Sequence, residues 1–374
     1  MKPLILLGFI SYGPYHLARL KASRDLLTGM NIEGWELSPI QKEYSWEHKR
    51  VDYLHAVTDL PLESVSRLQW LIQVWRHLNQ LKPDACVLAG YSHIGMLSAL
   101  IWCRFHGRPV VVMSDSKEDS APRHSWLEWC KAQILSLYES ALVAGSPHRD
   151  YFIKLGYDSE RIHRGYDVVD NSIYTALKTN PPGINRPYFL VVSRFIPEKN
   201  LSFVLSAFAQ YVKGCGREKA WDLVICGDGA LRAELEGQIR YLGLADKILL
   251  PGFLQMDEML PFYCHAEVFI LASLQETWGL VVNEAMASAL PVLLSKKCGC
   301  FTDLLVSGYN GYGFDPRNEV ELSSLMLQCY GMSPEERRAM GARGRLKIVS
   351  EYGLNHFAES LGDCLKSSFP ECVR

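Results

Sequence analysis

The sequence predicts an α/β fold made of two doubly wound parallel-sheet domains, and three observations carry that reading. Short apolar runs recur along the chain and alternate with segments of helical periodicity, the pattern of parallel strands joined by helical crossovers. At 374 residues the chain is long enough for two domains of ordinary size. A Pro/Gly/Asn-rich stretch, TNPPGINRP at 179–187, is too poor in apolar residues to join either core and divides two such series. The expected organisation is a first domain at 1–178, a linker at 179–187, a second domain at 188–352 and a final helical stretch at 353–374.

Residues 3–9 read as the first buried strand. The opening apolar run weakly imitates a signal peptide, but it is short, contains Gly8 and lacks a small-residue cleavage site. The strand delivers a loop holding Gly13, Pro14, Tyr15 and His16 to a helix from about residue 17 to 27, with glycine and proline as start signals. Further strands are expected at 84–89, 109–113 and 141–144, with helices near 64–81, 94–105 and 126–138. Ser146 and Pro147 open the next helix as cap and first residue. In the second half, strands are expected at 188–193, 222–226, 247–250, 268–272, 292–294 and 311–314, and helical patterns close the chain at 335–347 and 354–367.

Composition narrows the function. With 48% hydrophobic and 21% charged residues the profile is that of a soluble globular protein, and a net charge of −2 gives no general attraction to nucleic acid. The eleven cysteines are scattered, many in apolar segments (Cys86, Cys103, Cys226, Cys264), as in reduced cytoplasmic proteins. Cys298 and Cys300 form the only close pair, with no second pair to complete a zinc site. No segment reaches the roughly 18 uninterrupted apolar residues of a spanning helix. The expectation is a cytoplasmic protein, with peripheral contact at the inner membrane face left open. No G-x-G-x-x-G follows a strand, and no Walker, H-E-x-x-H or G-x-S-x-G sequence is present.

The chemistry concentrates at 273–296, SLQETWGLVVNEAMASALPVLLSK. Glu276 follows a buried-strand pattern, and Glu284 lies one turn into the amphipathic segment that comes next, so the two acids bracket a strand-to-helix turn. Thr277 and Gly279 make that turn tight, and the following helix offers N–H groups and the positive end of its dipole, which suits an anion flanked by hydroxyls. The bland reading of each acid is a solvated helix-end carboxylate. Arg194 ends the first strand of the second half, and Lys199 stands five residues on before a helix, so together they make a diphosphate clamp or, more plainly, a surface loop with two cations. Cys226-Gly227-Asp228-Gly229 and Pro251-Gly252-Phe253-Leu254 are turns that follow strands.

Glu276, the seven intervening residues, Glu284-Ala285-Met286-Ala287 and Pro291-Val292 closely resemble the donor-sugar motif of retaining glycosyltransferases of family 4, in the glycosyl transferases group 1, which have the GT-B fold. The resemblance runs almost continuously from Arg194 through Asn310-Gly311 to Ala339-Met340-Gly341, while the first half matches in pattern alone. It implies two Rossmann-like domains facing a cleft, with a terminal helix crossing back to the first. It implies a nucleotide-sugar donor, taken here as a UDP-sugar, whose diphosphate is held by Arg194 and Lys199 and whose base is met at Phe253 and Leu254. Glu276 would bind sugar hydroxyls and Glu284 the ribose, with Gly13, Gly227, Thr277, Trp278, Gly279 and Leu280 completing the donor pocket; Arg194, Lys199 and Glu276 are the catalytic candidates.

Where the family often has His-Asp after a first-domain strand, Ser114-Asp115 stands here. Trp278 replaces phenylalanine, Ala289 replaces glycine, and Cys300 and Asp303 occupy a loop usually reading Gly-x-x-Glu. Tyr15, His16, His93 and Asp115 follow first-half strands and are the candidates for an acceptor, each with helix capping as its structural reading. Trp126 and Trp129 suit an acceptor platform or a membrane contact, with interior packing the stronger reading. With no convincing Asp-x-Asp, no metal or other cofactor is expected. The implied activity is retaining, metal-independent transfer of a hexose-type sugar to a hydroxyl of a glycan, glycolipid or small metabolite. A nucleotide-sugar epimerase of the same architecture, or a non-catalytic nucleotide-sugar-binding partner, are the alternatives.

Overall fold

Parallel strands buried on both faces need helices above and below them, and the Val-, Ile- and Leu-rich runs here obtain that cover twice. The computed structural model describes residues 2–41, 51–120, 123–175, 181 and 183–369. The chain divides into two compact units, Met1–Val169 with Gly353–Arg374, and Asp170–Tyr352.

The first unit runs β1 (Leu4–Phe9), α1 (Pro14–Leu26), β2 (Asn31–Glu36), β3 (Leu54–Ala56), α2 (Arg67–Leu81), β4 (Ala85–Ala89), α3 (Ile94–Phe105), β5 (Val110–Ser114), α4 (Ser125–Leu135), β6 (Ser140–Val143), α5 (Ser146–Lys154) and β7 (Ile162–Arg164). Its sheet has the order β3-β2-β1-β4-β5-β6-β7 with every pair parallel. The order reverses direction between β1 and β4, which makes that the switch point. Three of these strands, β2, β3 and β7, lie outside the expected set. Helix α1 begins at Pro14, ahead of the expected start, because Pro14 is preset for a first turn and His16 Nδ1 accepts from the Gly13 N–H at 3.1 Å.

The second unit runs β8 (Tyr188–Val192), α6 (Leu201–Cys215), β9 (Asp222–Cys226), α7 (Arg232–Tyr241), β10 (Ile248–Gly252), α8 (Met256–His265), β11 (Val268–Leu271), α9 (Leu280–Ala287), β12 (Val292–Ser295), α10 (Phe301–Leu304), β13 (Gly311–Phe314), α11 (Glu319–Gly331) and α12 (Pro334–Glu351). The sheet order is β10-β9-β8-β11-β12-β13, again parallel throughout. Phe189, Val191, Ile225 and Ile270 from the strands meet Leu205 and Phe208 of α6 in one core. Burying each such side chain stabilises the fold by about 1.5–3 kcal/mol. The turn Asn171–Thr175 packs on α8 and α9 within this unit, so the division at Asp170 precedes the expected linker. Of that linker, residues 179, 180 and 182 lie outside the described residues.

Helix α13 (Leu354–Ser368) packs on α1, β5, β6 and β7 of the first unit. Its Phe357 lies 5.9 Å from the guanidinium of Arg19, which is buried and bonded to Val168 O at 3.0 Å and Asp167 Oδ1 at 3.3 Å. Two neighbours therefore satisfy a charge that would otherwise be costly to bury. Burial holds the thiols of Cys226 and Cys300 above the usual range, as inert protonated groups. No helix among the described residues is long and apolar enough to cross a membrane.

The turn after α9 explains one departure noted in the sequence. Ala289 adopts φ +59°, a left-handed conformation that favours glycine. Its carbonyl oxygen presses on α12 so closely that a Cβ added at Gly341 would lie 1.8 Å from it. Gly341→Ala is expected to lower the urea midpoint by the equivalent of about 1–3 kcal/mol, the cost of overpacking. Gly331→Ala, where an added Cβ meets open space, is expected to lower it not at all. Equal midpoints for the two variants would contradict the packing described.

Candidate functional site

Because all six strands of the second unit are parallel, the segments that follow β8, β9, β10 and β11 leave one edge of the sheet. The strand order turns back between β8 and β11, and the crevice at such a point is where open α/β sheets bind ligands. The β8 segment carries Arg194 and Lys199, the β9 segment Gly227, the β10 segment Phe253 and Leu254, and the β11 segment Glu276 with Thr277, Trp278 and Gly279. The four segments expected to hold a donor thus share one edge.

Backbone bonds fix these segments to one another. The Ser193 N–H donates to Cys226 O at 3.0 Å, Phe195 N–H to Asp228 O at 2.8 Å, Gly227 N–H to Gly252 O at 2.8 Å and Leu274 N–H to Glu198 O at 2.8 Å. At Gly227, φ is +135° and a Cβ would sit 1.8 Å from Ser193 O, so only glycine lets the β8 and β9 segments approach this closely. Asn200 sits at φ +57° and its amide donates to Ala272 O at 3.3 Å and Pro316 O at 2.8 Å. One side chain therefore ties the segments after β8, β11 and β13. Asn200 occupies the N-cap position of α6, but its side chain makes no capping bond and serves this tie instead. Arg232, also not singled out, donates to Asp228 Oδ2 at 3.3 Å and Leu250 O at 3.2 Å, and so holds the β9 turn to β10.

At the switch point, Lys199 Nζ forms an ion pair with Glu276 Oε2, each side chain 14% exposed. Ser273 Oγ donates to the same oxygen at 3.0 Å, from a fully buried position. The other oxygen, Glu276 Oε1, has no partner among the described residues. The acid's backbone is pinned by Gly299 N–H donating to Glu276 O at 3.1 Å, and the turn after it by Cys300 N–H donating to Trp278 O at 3.2 Å. Ser273 was missed in the sequence; its one signal is a hydroxyl ending an apolar strand three residues before the acid.

Gly279, at φ +106°, turns the chain into α9, whose first N–H groups follow directly. The other predicted residues divide by depth. Arg194 and Phe253 are exposed, and Leu254 and Thr277 are half-buried. Glu284 is buried on α9 and accepts from Tyr263 Oη at 2.6 Å. Trp278 is 1% exposed, its indole donating to Asn283 Oδ1 at 2.9 Å and its ring 6.0 Å from Tyr352, so its side chain fills the interior beneath the turn.

The first-unit candidates follow the adjacent strands β1, β4 and β5. Tyr15 and His16 lie in the first turn of α1, with Gly13 as its cap. The His16 ring stacks on Phe9 with centroids 4.1 Å apart. Burial, reinforced by Arg19, pushes its pKa down to about 3, which leaves the imidazole neutral. His93 caps α3 by accepting from Gly95 N–H at 3.1 Å, and burial lowers its pKa as well. Both histidines thus have capping as their structural task. Asp115 is half-buried just past β5. Trp126 and Trp129, expected in the interior, are 66% and 64% exposed. Among the described residues, no group of three or more His, Cys, Asp and Glu is placed to hold a metal ion.

Residues 177–347 match the family described as Glycosyl transferases group 1. An alpha-monoglucosyldiacylglycerol synthase from Streptococcus pneumoniae is 38% identical over 104 residues, which is 28% of this chain and 23% of that protein. An alpha-D-kanosaminyltransferase from Streptomyces kanamyceticus is 26% identical over 177 residues, 47% of this chain and 45% of that protein. The chain thus spans less than half the length of each of these relatives. Among solved structures, Anabaena HepE in complex with UDP and glucose is similar with a TM-score of 0.74 and 17% identity, covering 98% of this chain and 100% of that one. With the two parallel sheets described above, this likeness shows a two-domain Rossmann-like fold of the GT-B type.

Two outcomes follow from the geometry. Asn200→Ala loses two hydrogen bonds and keeps a strained φ, so it is expected to destabilise the chain by about 1–3 kcal/mol, read from urea unfolding; unchanged stability would contradict the tie. His16 binds a proton more weakly folded, with a pKa of about 3, than at its ordinary value of 6.5. Its contribution to stability is therefore complete above pH 6.5 and lost as pH falls toward about 3. The thermal midpoint is expected to fall on acidification from pH 6.5, with a shallower slope in His16→Asn; identical slopes would contradict the assignment.

Proposed function

We propose that this chain is a retaining glycosyltransferase that moves a sugar from a UDP-sugar to a hydroxyl acceptor without a metal ion. The observation that carries the reading is the Lys199–Glu276 pair at the switch point, on the same sheet edge as Arg194 and the start of α9, inside the stretch that matches the glycosyltransferase family. The UDP and glucose held by HepE support the choice of donor.

On this reading Arg194 takes the diphosphate with a bidentate fork and Lys199 with a point charge, and both stabilise the negative charge that grows as the leaving group departs. Glu276 Oε1, the oxygen not engaged by Lys199 and Ser273, accepts a sugar hydroxyl. Glu284 takes the ribose, Gly227 borders the nucleotide, and Phe253 and Leu254 meet the base through their backbone. The N–H groups of Gly279 and Leu280, with Thr277, orient the sugar at the head of α9.

The acceptor hydroxyl attacks the anomeric carbon from the face that the phosphate leaves. The carbon–phosphate oxygen bond breaks as the new glycosidic bond forms, and the acceptor proton passes to the departing phosphate, so configuration is retained and no side-chain base is required. The second unit is the donor domain of this proposal and the first unit the acceptor domain. Tyr15, His16, His93 and Asp115 are its acceptor candidates. With Nδ1 accepting from Gly13, a neutral His16 carries its proton on Nε2 and has no lone pair left to act as a base.

Lys199→Ala and Glu276→Ala are each expected to lower UDP release by at least about a hundredfold with the fold intact by circular dichroism. Ser273→Ala is expected to lower kcat/KM for the donor by about tenfold, the loss of one hydrogen bond to a charged group. The α-anomer of the donor should give an α-linked product by NMR, with rates unchanged by EDTA. Wild-type rates in both Lys199→Ala and Glu276→Ala would sink the reading. Isomerised UDP-sugar in acceptor-free reactions would replace it with an epimerase.

A further inference from the structure

On the first unit, α2 and α3 present an outward face that is at once apolar and cationic. The buried side of α2 is Trp70, Val74 and Leu78, four residues apart. On the opposite side Leu68 is 66% and Ile72 51% exposed, with half-buried Trp75 next along the stripe. Helix α3 adds Ile101 at 53% and Phe105 at 75% exposure, again four apart on one side. The rings of Trp75 and Phe105 lie 5.6 Å apart and join the two stripes into one patch.

The charge on these two helices and the turns that follow them is mostly positive. Between residues 64 and 114 the cations Arg67, Arg76, Lys82, Arg104 and Arg108 stand against a single acid, Asp84, in a chain whose net charge is −2. Arg104 is paired with Glu139 and Arg108 with Asp84. Arg67, Arg76 and Lys82 pair with no acid among the described residues.

Scattered surface leucines need no explanation, but a joined apolar stripe bordered by unneutralised cations marks an interaction surface. We infer that this face docks on an anionic lipid surface, its apolar side chains entering the headgroup layer and Arg67, Arg76 and Lys82 meeting lipid phosphates. A bilayer supplies both features at once, negative charge and an apolar layer beneath it. A second copy of the chain fits poorly, because a two-fold contact would set the cationic border against itself. Right-handed crossovers put α4 on the same side of the sheet as α3. There, exposed Trp126 and Trp129 add the residue type enriched at bilayer interfaces. This inference stands whether or not the chain transfers sugars.

The test is co-sedimentation of the whole chain with vesicles of phosphatidylglycerol mixed with phosphatidylcholine, and of phosphatidylcholine alone. Binding is expected on the mixed vesicles at low ionic strength, at least about tenfold weaker on the neutral ones, and weakened by salt. Ile72→Ser with Phe105→Ser, and separately Arg67→Glu with Arg76→Glu, are each expected to reduce binding at least about tenfold with an unchanged thermal midpoint, since all four side chains are exposed. No binding to the mixed vesicles, equal binding to both kinds, or binding kept by both double variants would overturn the inference. A dimer seen by light scattering and broken by the Ile72/Phe105 variant would give the face to a second copy instead.

Discussion

The candidate site of the second unit depends on one interaction, the ion pair between Lys199 and Glu276 across the segments that follow β8 and β11. Both groups are largely but not wholly removed from water, so each steadies the charge of the other while keeping one side open to the crevice. The surrounding bonds serve to hold the pair in register: Ser273 on the same carboxylate oxygen, Leu274 on the carbonyl of Glu198, and Asn200 bridging to β11 and β13. A cation and an acid fixed this way, next to the start of α9, need little rearrangement to meet a charged ligand. That is the condition under which electrostatic stabilisation is most effective.

The first unit arranges its edge differently. Gly13, Gly95 and Gly145 each donate an N–H to the Nδ1 of a nearby histidine, His16, His93 and His148, so imidazoles cap α1, α3 and α5. A protonated ring cannot accept such a bond, which ties helix starts on this edge to neutral histidine. One sheet edge is thus set by an ion pair and the other by neutral rings, although both units share one architecture.

Most of the second unit was legible in the sequence because its strands are buried on both faces and read as unbroken apolar runs, as at Val268–Leu271 and Val292–Ser295. The first unit was harder. Strand β2 reads NIEGWE, with polar residues and a glycine whose missing side chain makes room for Leu20 and Leu54. Strands β3 and β7 have three residues each, too few to show a period. Spacing along the chain put Arg194, Lys199 and Glu276 on one sheet edge, yet it could not say that Lys199 and Glu276 touch, that Ser273 shares the acid, or that Trp278 points inward. Those are contacts between distant segments. Trp126 and Trp129 were read as interior because indoles usually are, and only the packing of α4 shows them outside.

On the proposed function, the crevice between β8 and β11 receives a pyrophosphate. That placement is tested most directly by a crystal structure of the chain with UDP bound. The account predicts the diphosphate within hydrogen-bonding distance of both Arg194 and Lys199, with the uridine toward the segment after β10. A nucleotide seated at another edge of the sheet, or at this edge but out of reach of Lys199, would contradict it.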